Sequence, residues 1–228
     1  MIQPSNAGKK RLPVEDALAP IRPILHAILA RFTQAADKNQ RHRVMFVSPE
    51  HGDGTTTIAT STALMLVRHF RRKVALIEAN LYNPAMASYL DIPAGPGLLE
   101  VADGDAVQAD AVRNSKLNGL YVLTAGGGRA PHEGELAGEE LRNLISDISN
   151  NHRFTIIDAP PLLERPETCL LLEHVDEVIL VVRAGSTETD RAKAAVQILE
   201  DAGVHVSGVF LNRFKPDLPL GLGRLLAN

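Results

Sequence analysis

The sequence predicts an α/β fold of three layers, a mostly parallel sheet with helices on both faces. Three observations predict it. From Arg43 onward, short apolar runs alternate with longer helical patterns, the order produced by strand–helix–strand crossovers in a parallel sheet. The runs are rich in Val, Ile and Leu at successive positions, as strands buried between two helical layers must be. At 228 residues, with 45% apolar and 22% charged residues, the chain has the size and balance of one core.

Each element follows from its own pattern. Residues 1–14 are polar and aperiodic and read as a flexible lead; residues 15–228 read as a single domain. The stretch Val14 to Phe32 spaces Leu18, Ile21, Ile24, Leu25, Ile28 and Leu29 by three and four, an amphipathic helix that Pro20 and Pro23 confine to the part after Ile21. Strands are expected at Val44 to Ser48, Lys73 to Glu78, Gly119 to Thr124, Arg153 to Asp158, Glu177 to Arg183 and Val206 to Asn212. Helices are expected at Thr56 to Arg71, Pro96 to Val101, Gly138 to Asn150, Glu167 to His174 and Thr187 to Ala202.

Composition excludes several functions. A net charge of −3 gives no global reason to bind nucleic acid or an anionic membrane. Cys169 is the single cysteine and forms no intramolecular disulfide, and no apolar run approaches the roughly 20 residues that span a bilayer. Met1 to Asp16 lacks the apolar core of a secretory signal. A soluble cytosolic protein without direct membrane insertion is therefore expected.

In parallel sheets ligands bind beyond the carboxyl ends of the strands. There the sequence places Ser48-Pro49-Glu50-His51-Gly52-Asp53-Gly54-Thr55-Thr56-Thr57, a glycine-rich loop after a strand and before a helix. Gly52 and Gly54 let backbone N–H groups turn around an anion, the helix N-terminus adds partial positive charge, and the Thr56 hydroxyl suits Mg²⁺. The loop thus reads as a P-loop, with two departures from G-x-x-x-x-G-K-[ST]. Pro49 stands at the first Gly and Thr55 at the Lys. Without that cation the loop lacks the charge that phosphoryl transfer uses. Glu50 and Asp53 add carboxylates, and an acid in mid-loop is expected to face water.

The motifs together resemble the cytosolic tyrosine-kinase-type ATPases of bacterial polysaccharide export, the CpsD/CapB type and the cytosolic half of Wzc-type co-polymerases, in the MinD/ParA branch of P-loop proteins. The match runs from about Arg43 to Lys215. It is carried by the altered P-loop, Val74-Ala75-Leu76-Ile77-Glu78-Ala79-Asn80-Leu81-Tyr82, Leu123-Thr124-Ala125-Gly126, Thr155-Ile156-Ile157-Asp158-Ala159-Pro160-Pro161 and Leu211-Asn212-Arg213, in order and spacing.

The resemblance implies a nucleotide site for ATP or ADP with Mg²⁺, built from Gly52, Gly54, Thr55, Thr56, Thr57, Glu78, Asn80 and Asn212. Asp158 holds the second acidic motif, the catalytic position retained, and pairs with Thr56 as the expected Mg²⁺ ligands. Asn212 matches the contact to the adenine base. The family's first acidic motif, Asp-x-Asp-x-Arg, reads here Glu78, Asn80 and Tyr82. The terminal tyrosine cluster that family members phosphorylate is absent, the only tyrosines being Tyr82, Tyr89 and Tyr121. The amino-terminal Glu-x-x-Arg-x-x-Arg oligomerisation motif is not recognisable, with only Arg22 and Arg31 present, and self-association is kept as an open expectation.

The resemblance and its departures together imply a pseudokinase-like cytosolic subunit of exopolysaccharide synthesis and export, held at the inner membrane by a polysaccharide co-polymerase. An active ATP-dependent tyrosine autokinase is the first alternative. A ParA/MinD-type positioning ATPase is the second, against which Glu50 stands where that group carries an early lysine. His42, His51, His69 and His132 show no metal-ligand spacing. Arg68, His69, Arg71, Arg72 and Lys73 form a basic run where cations complement a helix dipole, or where they meet an acidic partner.

Overall fold

A computed structural model describes residues 27, 30–34, 40–115 and 117–213. Seven strands form one sheet in the order β3-β4-β2-β5-β1-β6-β7. These are β1 His42–Val47, β2 Val74–Glu78, β3 Arg113–Asn114, β4 Leu120–Leu123, β5 Phe154–Asp158, β6 Glu177–Arg183 and β7 Val206–Asn212. All pairings are parallel except β3 with β4. The fold class is the one the sequence predicts.

Burial explains why the central strands are apolar throughout. Alternate residues of β1 and β5 face opposite layers. Val44, Phe46, Phe154 and Ile156 meet helix α1, Thr55–Phe70, whereas Met45, Val47 and Ile157 meet the layer that holds α5, Glu139–Asn151, and α6, Thr189–Asp201. All these strand residues are essentially inaccessible to water. Each fully buried Val, Leu, Ile or Phe contributes about 1.5–3 kcal/mol, so burial on both faces holds the sheet to its two covers.

Several details differ from the sequence pattern. The expected helix over 167–174 is a 3₁₀ helix, Pro166–His174. Its buried Thr168 and Leu171 lie three apart, which suits three residues per turn. Three helices of one turn or slightly more escaped the pattern, or shifted within it: α2 Met86–Leu90, α3 Leu98–Ala102 and α4 Gln108–Ala111. So did β3 and a short 3₁₀ turn, Glu135–Ala137. Segments this short hold too few residues to display a period. The expected lead over 1–14 and most of the expected helix over Val14 to Phe32 lie outside the described residues, as does the chain beyond Arg213. Of that helix, residues 27 and 30–32 are described and helical, and the helix runs on to residue 34; Phe32 is buried against Phe154 and Arg31 pairs with Glu177 at 2.7 Å.

The chain leaves β1 for β2, passing over the gap later filled by β5, and returns to the other side of β1 with β6. This reversal opens a crevice at the carboxyl end of β1, the position at which parallel sheets bind ligands.

Candidate nucleotide site

The loop 48–54 leads from β1 into α1 at that crevice. Gly52 and Gly54 have φ of 92° and 97°, which side chains rarely adopt. At Gly54 a Cβ would also collide with the Asn212 amide. Helix α1 opens on Gly54 without a side-chain cap and with no acidic residue in its first turn. Its first amides have no intrahelical acceptor, and the helix dipole adds positive potential there. Backbone geometry therefore offers an anion cradle formed by Gly52, Gly54 and the amides of Thr55, Thr56 and Thr57. Thr55, at the lysine position of the motif, is buried.

The acids of the loop are tied down. Asp53 is only 4% exposed, contrary to the expectation that it faces water. Its Oδ1 accepts the Thr187 hydroxyl at 2.7 Å, and the same hydroxyl oxygen accepts the Arg183 amide at 2.7 Å. Asn212 donates from Nδ2 to the Asp53 carbonyl at 2.7 Å. The loop is thus strapped to the segment between β6 and α6 and to the end of β7. Glu50 pairs with Arg191 of α6 at 3.1 Å, and the His51 amide donates to Glu164 at 2.8 Å. Sequence reasoning missed Thr187, Glu164 and Arg191; the one available signal was the conflict of two carboxylates inside an anion-binding loop.

Glu78 and Asp158 end β2 and β5 side by side in register. Glu78 accepts the amides of Ala85 and Met86 on Oε1, each at 2.6 Å, and that of Ala125 on Oε2 at 3.1 Å. It closes the loop after β2 and ties it to the end of β4. Burial raises its pKa, and the three amide bonds oppose the rise. Asn80 accepts the Asn83 amide at 3.3 Å, a local turn contact. Tyr82 donates its hydroxyl to the His132 carbonyl and to Glu167, and its ring lies 3.9 Å from the Arg165 guanidinium carbon.

Asp158 is fully buried, and burial pushes its pKa up to about 8. The nearby Thr56 hydroxyl acts in the opposite direction, favouring the charged form, and Glu78 reinforces the rise. Neither carboxylate oxygen meets hydrogen-bond geometry with a described donor. An orphaned buried carboxylate beside a threonine at the mouth of an anion cradle is a donor set that fits Mg²⁺ bound with a nucleotide. The structure thus brings Thr56 and Asp158 together. It gathers Gly52, Gly54, Thr55 and Thr57 in one cradle, and engages Glu78, Asn80 and Asn212 in internal bonds around it.

The chain is 25% identical over 211 residues to the tyrosine-protein kinase ptk of Acinetobacter johnsonii, covering 90% of this chain and 28% of that one. The crystal structure of the VpsO kinase domain superposes with a TM-score of 0.76 at 28% identity, over 89% of this chain and 96% of that one. The homologues of this chain are bacterial tyrosine kinases. A shorter kinase homologue, the putative tyrosine-protein kinase CapB of Staphylococcus aureus, is 23% identical over 79% of this chain and 78% of its own. Against longer kinases such as ptk the chain spans just over a quarter of the length. No protein-family model matches the chain.

Proposed function

We propose that the chain is a pseudokinase-like cytosolic subunit of bacterial exopolysaccharide synthesis and export, which binds an inner-membrane polysaccharide co-polymerase and does not turn over ATP. The observation that carries this reading is Thr55, buried at the position where the motif needs a lysine. Positioning and charge do nearly all the work in phosphoryl transfer, and a buried hydroxyl supplies no cation. Supporting it, Glu78 commits its carboxylate to three backbone amides, Asn80 is held in a local turn contact, and the Tyr82 hydroxyl is engaged by Glu167 and the His132 carbonyl. Among the described residues no helix is long and apolar enough to cross a membrane, so on this reading the chain sits at the inner membrane through its partner. Co-precipitation from detergent extracts tests it. Recovery of the co-polymerase with wild-type protein, and loss of polymer on deletion of the gene, are expected; recovery of no co-polymerase, or normal polymer without the gene, overturns the proposal.

One observation favours a second reading, an active ATP-dependent tyrosine autokinase. Asp158 keeps two buried oxygens without a donor next to Thr56. In that reading Thr56 and Asp158 would hold Mg²⁺, which would supply charge neutralisation, and the cradle would hold the phosphates. Phosphotyrosine on purified protein incubated with ATP and Mg²⁺, lost in Asp158→Ala, would favour this reading; a bound partner with polymer lost on Asp158→Ala would point instead to nucleotide-dependent switching.

A further inference from the structure

The end of the sheet opposite the cradle carries a second concave surface. Lys73 precedes β2, Tyr121 lies early in β4, and Asn151 and His152 close α5; with Gln108 they line a cavity of about 520 Å³. The Tyr121 and His152 rings lie 4.9 Å apart at 57°, and Lys73 Nζ sits 5.6 Å from the Tyr121 ring centre. His152 is fixed by its Nδ1 contact to the Ile148 carbonyl at 2.8 Å. Two ring faces, a cation and two amide side chains therefore converge on one notch.

In the stretch that leads from the last turn of α1 into Lys73 and β2 stand Arg68, Arg71 and Arg72, all exposed like Lys73. Several other surface arginines are matched: Arg43 with Asp176, Arg129 with Asp103 and Glu135, Arg142 with Glu173 and Arg191 with Glu50. Among the described residues none of these four cations is paired with a carboxylate, in a chain whose net charge is −3. The dipole of α1 accounts for Arg68 in its last turn. It does not account for Arg72 and Lys73, which lie past the helix end. Arg71 itself is held at φ 51°, the left-handed conformation in which glycine would be unstrained. A side chain is retained there at a conformational cost.

We propose that this end of the domain docks an acidic segment of a protein partner, with Arg68, Arg71 and Arg72 meeting its carboxylates and the Lys73–Tyr121–His152 notch seating a flat side chain. The surface lies away from the nucleotide site and is independent of whether that site works. The test is fluorescence anisotropy of the full chain with a short synthetic glutamate-rich peptide carrying one tyrosine, at low and moderate salt. Salt-sensitive binding is expected, weakened about tenfold or more in an Arg71→Glu, Arg72→Glu variant, since two exposed attractions, each worth a few-fold, are turned into repulsions. Tyr121→Ala should abolish the preference for this peptide over one with alanine in place of tyrosine. Arg71→Gly should keep or raise the melting temperature while weakening the peptide, which separates docking from folding. The proposal is overturned if the wild-type chain ignores the peptide, or if charge reversal leaves affinity unchanged. It is equally overturned if phosphatidylglycerol vesicles, rather than the peptide, show the arginine dependence.

Discussion

Glu78 and Asp158 stand opposite each other in the ladder at 1% and 0% exposure, yet the fold treats them differently. Glu78 receives three backbone amides; Asp158 receives no bond of good geometry from a described donor. Burial raises the pKa of both, against three amide bonds at Glu78. One acid has been absorbed into the scaffold, and the other has been left facing the cradle at a cost to stability. The contrast teaches that a motif position becomes structural when backbone donors surround it and remains available for a ligand when they do not.

The comparison is broken most directly at Glu78. Glu78→Ala leaves three buried amides without an acceptor and is expected to destabilise the fold by about 3 kcal/mol or more. Urea unfolding measures it; a loss below about 1 kcal/mol would show that Glu78 holds nothing together. Asp158 sharpens the contrast with the opposite sign. Its folded pKa of about 8 lies above the ordinary aspartate value of 3.8, so the folded state keeps a proton that the unfolded state has lost between these values. Stability therefore falls as pH rises from about 4 to 8, by at most about 1.4 kcal/mol per unit, and levels off above. Asp158→Asn should remove most of that slope, leaving the part due to Glu78, so that the variant gains on the wild type progressively as pH rises from about 4 to 8, with little change near pH 4 and a gain of several kcal/mol near pH 8 (about 1.4 kcal/mol per unit). Unfolding curves across this range check it, and an unchanged slope would contradict the orphaned state of Asp158.

Much of this contrast was hidden in the sequence. Val44, Met45, Phe46 and Val47, apolar without alternation, announced a strand covered on both sides, and the glycine pair at 52 and 54 announced the turn into α1. Both rest on local chain properties. Glu78 read as a relic of nucleotide chemistry because its amide donors arrive from Ala85, Met86 and Ala125, which the sequence does not mark as neighbours. Asp53 read as solvated because Thr187, 134 residues away, is joined to it only by the fold. Asn212 was legible as a site residue, but its bond to the Asp53 carbonyl depends on the β6–β7 register. Short elements such as α2, α4 and β3 were lost for want of length.

A smaller effect is expected at the cradle. Thr55→Lys supplies a phosphate contact worth about 1.5–3 kcal/mol and should tighten ATP–Mg²⁺ binding at least tenfold in a calorimetric titration, without restoring turnover. Unchanged affinity would mean that Gly52, Gly54 and the opening of α1 do not shape a phosphate cradle.

On the proposed reading the scaffold persists while the chemistry does not. The most direct test is incubation of the purified wild-type protein with ATP and Mg²⁺, reading both phosphate release and phosphotyrosine. The expected result is no release above background and no phosphotyrosine on Tyr82, Tyr89 or Tyr121. Phosphotyrosine that accumulates on the wild-type chain and disappears in Asp158→Ala would contradict that reading and restore the active kinase.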